Sequence, residues 1–233
     1  MRYVISDIHG CKKQYLELLE KINFSEQDSL YILGDSVDRG EHPIEMLRYI
    51  MKQENVTYLL GNHDYTLYKF IKELGINLDD FKNDEIKWAF KFWQHDGGIP
   101  TVEEYLALSE YERKEIFHFL KKAKVYEEIE YCGKRYILSH AGIKNFQEDK
   151  LLKDYSKHEF FEGRMNYDTR YFQDENVYIV SGHTPTFYIR RDRKPLVYQE
   201  KGHIAIDCGC VFGGKLAAFC IEDGSVTYVD GKI

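Results

Sequence analysis

The sequence lacks three features that would assign its class at once. No apolar run approaches the roughly 18–20 residues that a membrane-spanning helix needs. The N-terminus reaches Arg2 and Asp7 before any apolar stretch as long as the core of a signal peptide, so we expect a cytoplasmic protein. Positive charge is not in excess: 32 Lys and Arg against 39 Asp and Glu give a net charge of −7. We therefore expect neither a membrane nor a nucleic-acid partner.

Cysteine and proline are also scarce. The five cysteines are odd in number and lack a zinc-type spacing, which argues against a disulfide scaffold and a zinc site and favours reduced thiols. Cys208 and Cys210 form the one close pair, and we interpret them as small residues at a buried strand end rather than as a redox pair. With four prolines, 43% hydrophobic and 15% aromatic residues, the 233-residue chain is typical of an ordered globular protein and not of a disordered or collagen-like one.

Short apolar segments alternate with helical patterns along the first sixty residues, which predicts an α/β fold. The predicted helix at 12–22 directs Leu16, Leu19 and Ile22 inward, and Pro43 opens a second helix. Six segments have the length and β-branched or aromatic content of strands buried on both faces: 3–5, 30–33, 56–60, 136–138, 177–180 and 204–206.

The stretch at 65–125 interrupts this rhythm with aromatic-rich helical sequence, including a Ser109-x-x-Glu112 capping box that opens a helix through Lys122. We interpret it as a helical insertion in a single domain that spans 1–233. The remainder returns to strands, with hairpin turns at Cys132-Gly133 and Asp223-Gly224.

Polar residues follow five of these strands directly, each beside a glycine that lets the chain turn sharply. Ligand sites of α/β sheets form outside the carboxyl ends of the strands, so we expect these residues to meet in one region. The five segments are Asp7-Ile8-His9-Gly10, Gly34-Asp35-Ser36-Val37-Asp38-Arg39-Gly40, Gly61-Asn62-His63-Asp64, Ser139-His140-Ala141-Gly142 and Ser181-Gly182-His183-Thr184.

Their carboxylate, amide and imidazole groups are a donor set for manganese, iron or zinc. The six candidate ligands are Asp7, His9, Asp35, Asn62, His140 and His183. A carboxylate such as Asp35 can bridge two ions about 3.5–4 Å apart, which would supply hydroxide for in-line attack at phosphorus. Arg39 can then hold phosphate oxygens, and His63 can protonate the leaving oxygen while Asp38 fixes its tautomer.

Each of these residues alone has a plainer interpretation. A single buried histidine is more often a hydrogen-bonded core residue, Asn-His at a strand end is usually turn chemistry, and Asp38-Arg39 could be a surface ion pair. Four of the nine histidines fall in the five segments, however, each at a predicted strand end. Together they indicate a binuclear metal site.

The ordered motifs resemble the phosphoprotein phosphatase family of calcineurin-like metallophosphoesterases, from residue 7 to 184. The resemblance implies a central β-sandwich flanked by helices. It implies that Asp7, His9 and Asp35 bind one metal. It also implies that Asp35, Asn62, His140 and His183 bind the other, with manganese expected first and iron or zinc as alternatives. Asp38 and His63 then act as a catalytic pair, and Arg39 binds phosphate together with Asn62.

The details resemble a bacterial branch that includes protein phosphatases and symmetrical diadenosine tetraphosphate hydrolases. Asp64 stands where glutamate is common, as in bacterial members. Ser6 departs from the family pattern, which usually has glycine before Asp7. Trp93…Gly97-Gly98-x-x-Thr101 resembles the same branch, as does the Ile206-Asp207-Cys208-Gly209 tail, which we interpret as loop support. A second phosphate-binding arginine is expected, for which we favour Arg164 over Arg170.

We therefore predict an enzyme that hydrolyses phosphoserine or phosphothreonine in proteins, with a phosphoprotein or a phosphorylated small molecule as substrate. The alternative keeps the site and makes it a symmetrical diadenosine tetraphosphate hydrolase that releases two ADP. A non-catalytic binding protein is disfavoured, since no ligand of the motif is missing. We interpret the basic stretch Arg190, Arg191, Arg193 and Lys194 as a solvated hairpin tip in preference to a polyphosphate clamp.

Overall fold

The computed structural model describes residues 1–74 and 84–231, which form two five-stranded sheets with helices packed outside them. The first sheet has the strand order β10-β9-β1-β2-β3 and the second β4-β5-β6-β8-β7. The strands are β1 (Arg2–Ile5), β2 (Ser29–Ile32), β3 (Val56–Tyr58), β4 (Tyr126–Tyr131), β5 (Lys134–Ser139), β6 (Val177–Ser181), β7 (Tyr198–Glu200), β8 (His203–Ala205), β9 (Lys215–Cys220) and β10 (Val226–Asp230).

Helices pack on the outer face of the first sheet, and four α-helices of the described residues occupy the sequence between β3 and β4. The helices are α1 (Lys12–Lys21), α2 (Pro43–Ile50), α3 (Asn62–Leu74), α4 (Asp84–Trp93), α5 (Ile99–Leu106), α6 (Glu110–Lys122), α7 (His158–Phe161) and α8 (Thr186–Ile189). Pro43 stands at the start of α2, and the Ser109–Glu112 capping box before α6 is present. The described part of the predicted insertion consists mainly of helices, with short non-helical links at 107–109 and 123–125, and its segment 75–83 lies outside the described residues. No helix in the described ranges is long and apolar enough to cross a membrane.

The core has a layer on each side of the first sheet. Between the two sheets, Val4, Leu33 and Phe219 pack against Leu138 and Val180. Between the first sheet and the helices lies a second buried layer. The sandwich flanked by helices that the sequence predicted is confirmed.

The predicted buried face of helix α1 is wrong at one position, Leu16. Leu16 is 39% exposed, whereas Tyr15 and Leu18 are fully buried. Positions 15, 18, 19 and 22 follow the i, i+3, i+4, i+7 spacing of one helical face, and position 16 lies beside that stripe. A tyrosine therefore fills the inward position, and its hydroxyl donates a 2.7 Å hydrogen bond to Gln53.

In each sheet the parallel strands bring their carboxyl ends to one edge. β1 runs parallel to β2 and β2 to β3, while β5, β6 and β8 are parallel in the second sheet. The polar segments predicted from the sequence begin at the ends of β1, β2, β3, β5 and β6.

Candidate metal centre

A cleft of about 340 Å³ lies at these strand ends. The side chains that line it include Asp7, His9, Asp35, Arg39, Asn62, His63, Asp96, Arg164, His183, Tyr188, Asp207 and Phe212. His140 is fully buried beneath it, with its Nε2 atom 2.9 Å from Asn62 Oδ1. The structure thus brings all six candidate metal ligands together, four from loops of the first sheet and two from the second.

Backbone carbonyls orient two of the candidate ligand histidines. His9 Nδ1 lies 2.7 Å from the carbonyl oxygen of Val37, and His140 Nδ1 lies 2.8 Å from that of Leu33. Because a carbonyl can only accept, each Nδ1 carries a proton, and Nε2 is the nitrogen of each ring that faces the other candidate ligands. His9 Nε2 accepts a hydrogen bond from Arg39. Burial alone would lower the pKa of His140, but the Asp35 carboxylate outweighs burial and raises it to about 10, so His140 Nε2 also carries a proton. A metal would bind each ring through Nε2, and at His140 it would replace the proton there.

Asp35 lies at the centre of the candidate ligands. Its Oδ2 atom is 3.2 Å from His140 Nε2 and 3.8 Å from His9 Nε2. It belongs to two groups of three residues, and within each group the donor atoms lie within 4.8 Å of one another. The first group is His9, Asp35 and His63, and the second is Asp35, His140 and His183. Asn62 Oδ1 adds an oxygen to the second group, 2.9 Å from His183 Nδ1. One carboxylate between two donor groups is the arrangement that a bridged pair of cations needs.

The buried charges fit such cations. Burial raises the pKa of Asp7, and the nearby negative charge of Asp35 raises it further. Burial lowers the pKa of His183 to about 3, so this imidazole is neutral and can ligate. Burial alone would raise the pKa of Asp35, but the imidazoles of His140 and His63 hold it well below its usual range. Among the imidazoles, His183 is already neutral, whereas the protonated His140 holds the place of a cation beside Asp35. Carboxylates and imidazoles together are a donor set for a first-row divalent metal, which would replace the His140 proton.

Backbone strain is concentrated in the loops that carry the site. Six of its non-glycine residues have a positive φ: Asp7, His9, Asp35, Asp38, Arg39 and His183. Asp64 ties two of these loops together, because its Oδ2 accepts hydrogen bonds from the backbone N–H groups of Asp35 at 2.7 Å and Gly61 at 3.0 Å. A Cβ atom at Gly61 would collide with the Asp35 carboxylate, so only glycine allows this approach. Such strain persists only where surrounding contacts enforce it.

His63 and Asp38 form a buried pair beside the donor groups. His63 Nδ1 lies 2.6 Å from Asp38 Oδ2, and that oxygen also accepts a 2.7 Å hydrogen bond from Trp93 Nε1. Thr101 Oγ1 donates to Asp38 Oδ1 at 2.6 Å and accepts from the Asp38 backbone N–H at 2.9 Å. The Trp93 and Thr101 positions of the sequence pattern therefore hold Asp38, a role that the pattern itself did not indicate.

The charges around His63 favour its protonated form. Burial alone would lower the pKa of His63, but the carboxylates of Asp35 and Asp38 outweigh burial and raise it. A proton that persists on this imidazole near neutral pH suits a proton donor.

Thr101 gives a stability test of the Asp38 network. We expect Thr101→Val, which keeps the side-chain shape, to lower the free energy of unfolding by about 2–3 kcal/mol, because a buried carboxylate loses a donor. Urea unfolding of the metal-free protein measures the change. Thr66→Val is the matched control, since its hydroxyl bonds only a carbonyl of its own helix, Asn62 O at 2.8 Å. Equal losses in the two variants would contradict a special role of Thr101.

The two arginines favoured from the sequence both line the cleft. Arg39 Nη1 donates to His9 Nε2 at 2.8 Å, and its Nη2 lies 3.2 Å from an Asp96 oxygen. Arg164 lies on the cleft wall. Its rival Arg170 instead donates to the backbone carbonyls of Phe172 and Asp174.

The cleft is also lined by residues that the sequence did not assign to the site, among them Asp207, Tyr188 and Phe212. Asp207 follows the buried segment 204–206, so the strand-end rule that found the other ligands could have found it. Burial raises its pKa, and the nearby Asp7 carboxylate raises it further. The two aromatic residues carry no such signal in the sequence.

The basic stretch after α8 bonds mostly within itself. Arg190 pairs with Asp192 at 2.7 Å and donates to the Val197 carbonyl, while Arg193 donates to the Phe187 carbonyl. These contacts and the exposure of residues 191–194 favour a solvated segment over a polyphosphate clamp, and the stretch is not part of the cleft lining. The predicted hairpin tip is wrong, because the stretch is the loop that joins α8 to β7.

Comparison with known proteins gives the same family from sequence and from structure. A family model described as calcineurin-like phosphoesterase matches residues 2–197. The chain is 30% identical, over 244 aligned positions, to a protein of Geobacillus sp. (strain WCH70) named bis(5'-nucleosyl)-tetraphosphatase PrpE, asymmetrical; the match covers 93% of this chain and 88% of that relative.

Solved structures share the fold at lower identity. The crystal structure of a candidate diadenosine tetraphosphatase superposes with a TM-score of 0.67 and 19% identity, covering 99% of this chain and 93% of the other. A protein serine/threonine phosphatase from Saccharomyces cerevisiae superposes with a TM-score of 0.61 and 14% identity, covering 100% of this chain and 79% of the other. The family model spans most of the chain and every strand-end segment described above, and the chain therefore belongs to the calcineurin-like phosphoesterases, as a metallophosphoesterase hydrolase.

Proposed function

We propose that this chain is a metal-dependent hydrolase of dinucleoside tetraphosphates that cleaves them asymmetrically, to a nucleoside triphosphate and a nucleoside monophosphate. The observation that carries the proposal is the composition of the cleft. Tyr188 and Phe212 are exposed aromatic side chains in the same cleft as the metal donors and two arginines. Aromatic faces suit nucleobases, whereas a phosphoserine peptide has no comparable ring.

The name of the relative from Geobacillus supports the same choice. The sequence favoured a phosphoprotein substrate and kept the symmetrical dinucleotide hydrolase as its alternative. The proposal prefers the dinucleotide to the phosphoprotein as substrate. It also replaces symmetrical cleavage to two nucleoside diphosphates by asymmetrical cleavage to a triphosphate and a monophosphate. The phosphoprotein phosphatase has no observation of its own in its favour, because structural neighbours of that class share only the fold.

Two divalent ions fit the donor sets of the cleft. Asp7, His9 and Asp35 would hold one ion, and Asp35, Asn62, His140 and His183 the other, with manganese as the first choice and iron or zinc as alternatives. When bound, such ions lower the pKa of water and stabilise negative charge on a phosphoryl group.

The side chains of the chain itself orient and protonate the substrate in this proposal. Arg39 and Arg164 bind phosphate oxygens through their planar guanidinium donors, assisted by the Asn62 amide. His63 keeps one proton on Nδ1 toward Asp38 and donates the other from Nε2 to the leaving oxygen. Trp93 and Thr101 fix Asp38, and Asp38 in turn fixes the His63 ring.

We expect Arg39→Ala to weaken inhibition by inorganic phosphate by roughly 10- to 100-fold, since a charged side chain that donates to an anion is lost. The inhibition constant is measured against p-nitrophenyl phosphate, with metal content checked in parallel because Arg39 also contacts His9. Arg135→Ala is the control, since Arg135 is the second residue of β5, at the end of the strand away from the cleft, and pairs with Glu128. Unchanged inhibition in the Arg39 variant would remove Arg39 from the phosphate site.

Product analysis tests the proposed function itself. Manganese-loaded protein is offered diadenosine tetraphosphate and a phosphothreonine peptide side by side. We expect ATP and AMP in equal amounts from the dinucleotide, with little phosphate from the peptide. Release of two ADP would contradict the proposal and support a symmetrical hydrolase. Rapid phosphate release from the peptide, with the dinucleotide intact, would contradict it in favour of a protein phosphatase.

A further inference from the structure

A second pocket of about 300 Å³ adjoins the metal cleft on the side of His63. The two share Asn62, His63 and Asp96 in their walls. The far wall of the second pocket is formed by α4, where Trp88 and Phe92 face it.

Trp88 and Phe92 form an aromatic platform on the surface. They lie one helical turn apart, their rings are stacked with centroids 5.7 Å apart and planes 19° from parallel, and they are 69% and 60% exposed. The other two large aromatic side chains of α4, Phe90 and Trp93, are buried and pack against Phe70. Helix α4 is therefore packed against the protein through Phe90 and Trp93 and exposes Trp88 and Phe92 to solvent. A contiguous exposed aromatic surface of this kind is typical of a ligand-binding or partner-binding site.

Polar groups surround the platform at the pocket wall. Lys69 supplies a positive charge, and the Glu162 carboxylate supplies an acceptor. The negative charge of Asp96, between the two pockets, is balanced by Arg39 at 3.2 Å. An aromatic surface with one cation and one acceptor matches a nucleotide, whose base stacks, whose exocyclic amino group donates and whose phosphates are negative.

We infer that this pocket holds the leaving nucleotide, with its base stacked on the Trp88–Phe92 platform and its phosphates toward Lys69. The inference rests on the proposed function, in which His63 protonates the leaving oxygen. The leaving group must then lie on the His63 side, where this pocket begins.

The position of the platform also accounts for cleavage away from the middle of the substrate. Tyr188 and Phe212 line the metal cleft itself, whereas Trp88 and Phe92 line only the adjoining pocket. The base of the attacked nucleotide thus stacks beside the metal donors, and the base of the leaving nucleotide stacks beyond His63. One base site lies in the pocket of the metal donors and the other in the adjoining pocket, so the two sites are not equivalent about the point of cleavage. Such an arrangement favours unequal products, a monophosphate and a triphosphate.

Kinetics of Trp88→Ala with two substrates test the platform. We expect the KM for diadenosine tetraphosphate to rise about 10-fold more than the KM for p-nitrophenyl phosphate, because base stacking is lost from the first substrate only. Trp88→Phe should restore most of the difference, since it keeps a ring. Tyr111→Ala is the matched control, because Tyr111 is 70% exposed on α6 and lines neither pocket.

Fluorescence gives a readout that does not depend on turnover. The chain has two tryptophans, of which Trp88 is exposed and Trp93 is buried. ATP added to the manganese-loaded protein should quench the emission of Trp88, and Trp88→Phe should abolish the quenching.

Several results would overturn the inference. Wild-type protein that cleaves the dinucleotide, with equal KM changes for the two substrates in Trp88→Ala, would refute the platform and leave the proposed function intact. A wild-type dimer that Trp88→Ala converts to monomer would identify the platform as an interface between copies of this chain. Wild-type protein that does not cleave the dinucleotide would refute the proposed function and the inference together, before any variant is measured.

Discussion

Replacing Asp35 by Asn is expected to deplete both divalent ions and to lower turnover at least about 10³-fold. Asp35 is the one residue shared by both donor groups, with His140 Nε2 at 3.2 Å and His9 Nε2 at 3.8 Å from its Oδ2 atom. The substitution keeps the size of the side chain but removes the negative charge that two cations would share. Loss of several kcal/mol of charge stabilisation corresponds to a factor of this size.

Metal content decides between bridging and non-bridging roles of Asp35. Variant and wild-type proteins are purified in manganese, passed through a desalting column and analysed for bound metal by mass spectrometry. Asp84→Asn is the control, because Asp84 is an exposed carboxylate at the start of α4, outside the cleft lining. An Asp35→Asn protein that keeps two ions would contradict the bridging role.

His63→Asn should lower kcat by about 10²- to 10⁴-fold while metal content stays near that of the wild type. The expected loss reflects the missing proton donor, since Asn cannot deliver a proton to the leaving oxygen. The loss should be largest for phenyl phosphate and smallest for 2,4-dinitrophenyl phosphate, whose leaving group is stable without a proton. Rates with this pair of substrates separate acid catalysis from a general loss of structure.

The His63→Asn variant also tests whether His63 is a metal ligand or a proton donor. His63 lies in one donor group with His9 and Asp35, so the distances alone also allow it to be a metal ligand. Depletion of one ion in His63→Asn would make it a ligand and transfer the proton-donor role elsewhere. His118→Asn, on the exposed side of α6, serves as the control.

Much of the site could be predicted because it depends on local rules. A buried strand that ends in a polar residue and a glycine puts that residue at the sheet edge, and Asp7, Asp35 and His140 were found in this way. The rule extends to Asp207, which follows the segment 204–206 and lies in the cleft, although we had interpreted its segment as loop support.

Contacts between distant segments could not be predicted in the same way. Thr101 contacts Asp38 across 63 residues of sequence, and the Trp93 indole does so across 55. Neither the hydrophobic periodicity of the sequence nor the spacing within a motif indicates that these two side chains contact Asp38. The same holds for Tyr188 and Phe212, which look like ordinary aromatic residues until the fold brings them to the cleft. In the proposed function, substrate specificity therefore depends on the aromatic residues that the sequence reveals least.

The pairing of β1 has a consequence for the order in which the molecule can form. This strand delivers Asp7 and His9, and it is the middle strand of its sheet, between β2 and β9. Tyr3 pairs with Cys220, so one side of β1 has no partner until nearly the whole described chain has been synthesised. Pairings between segments so far apart form slowly, and an open strand edge can meet other chains in the meantime. Of the strands in the described residues, β1 is thus the first to be synthesised and among the last to be paired on both sides, so the strand edge beside Asp7 and His9 stays open during most of synthesis.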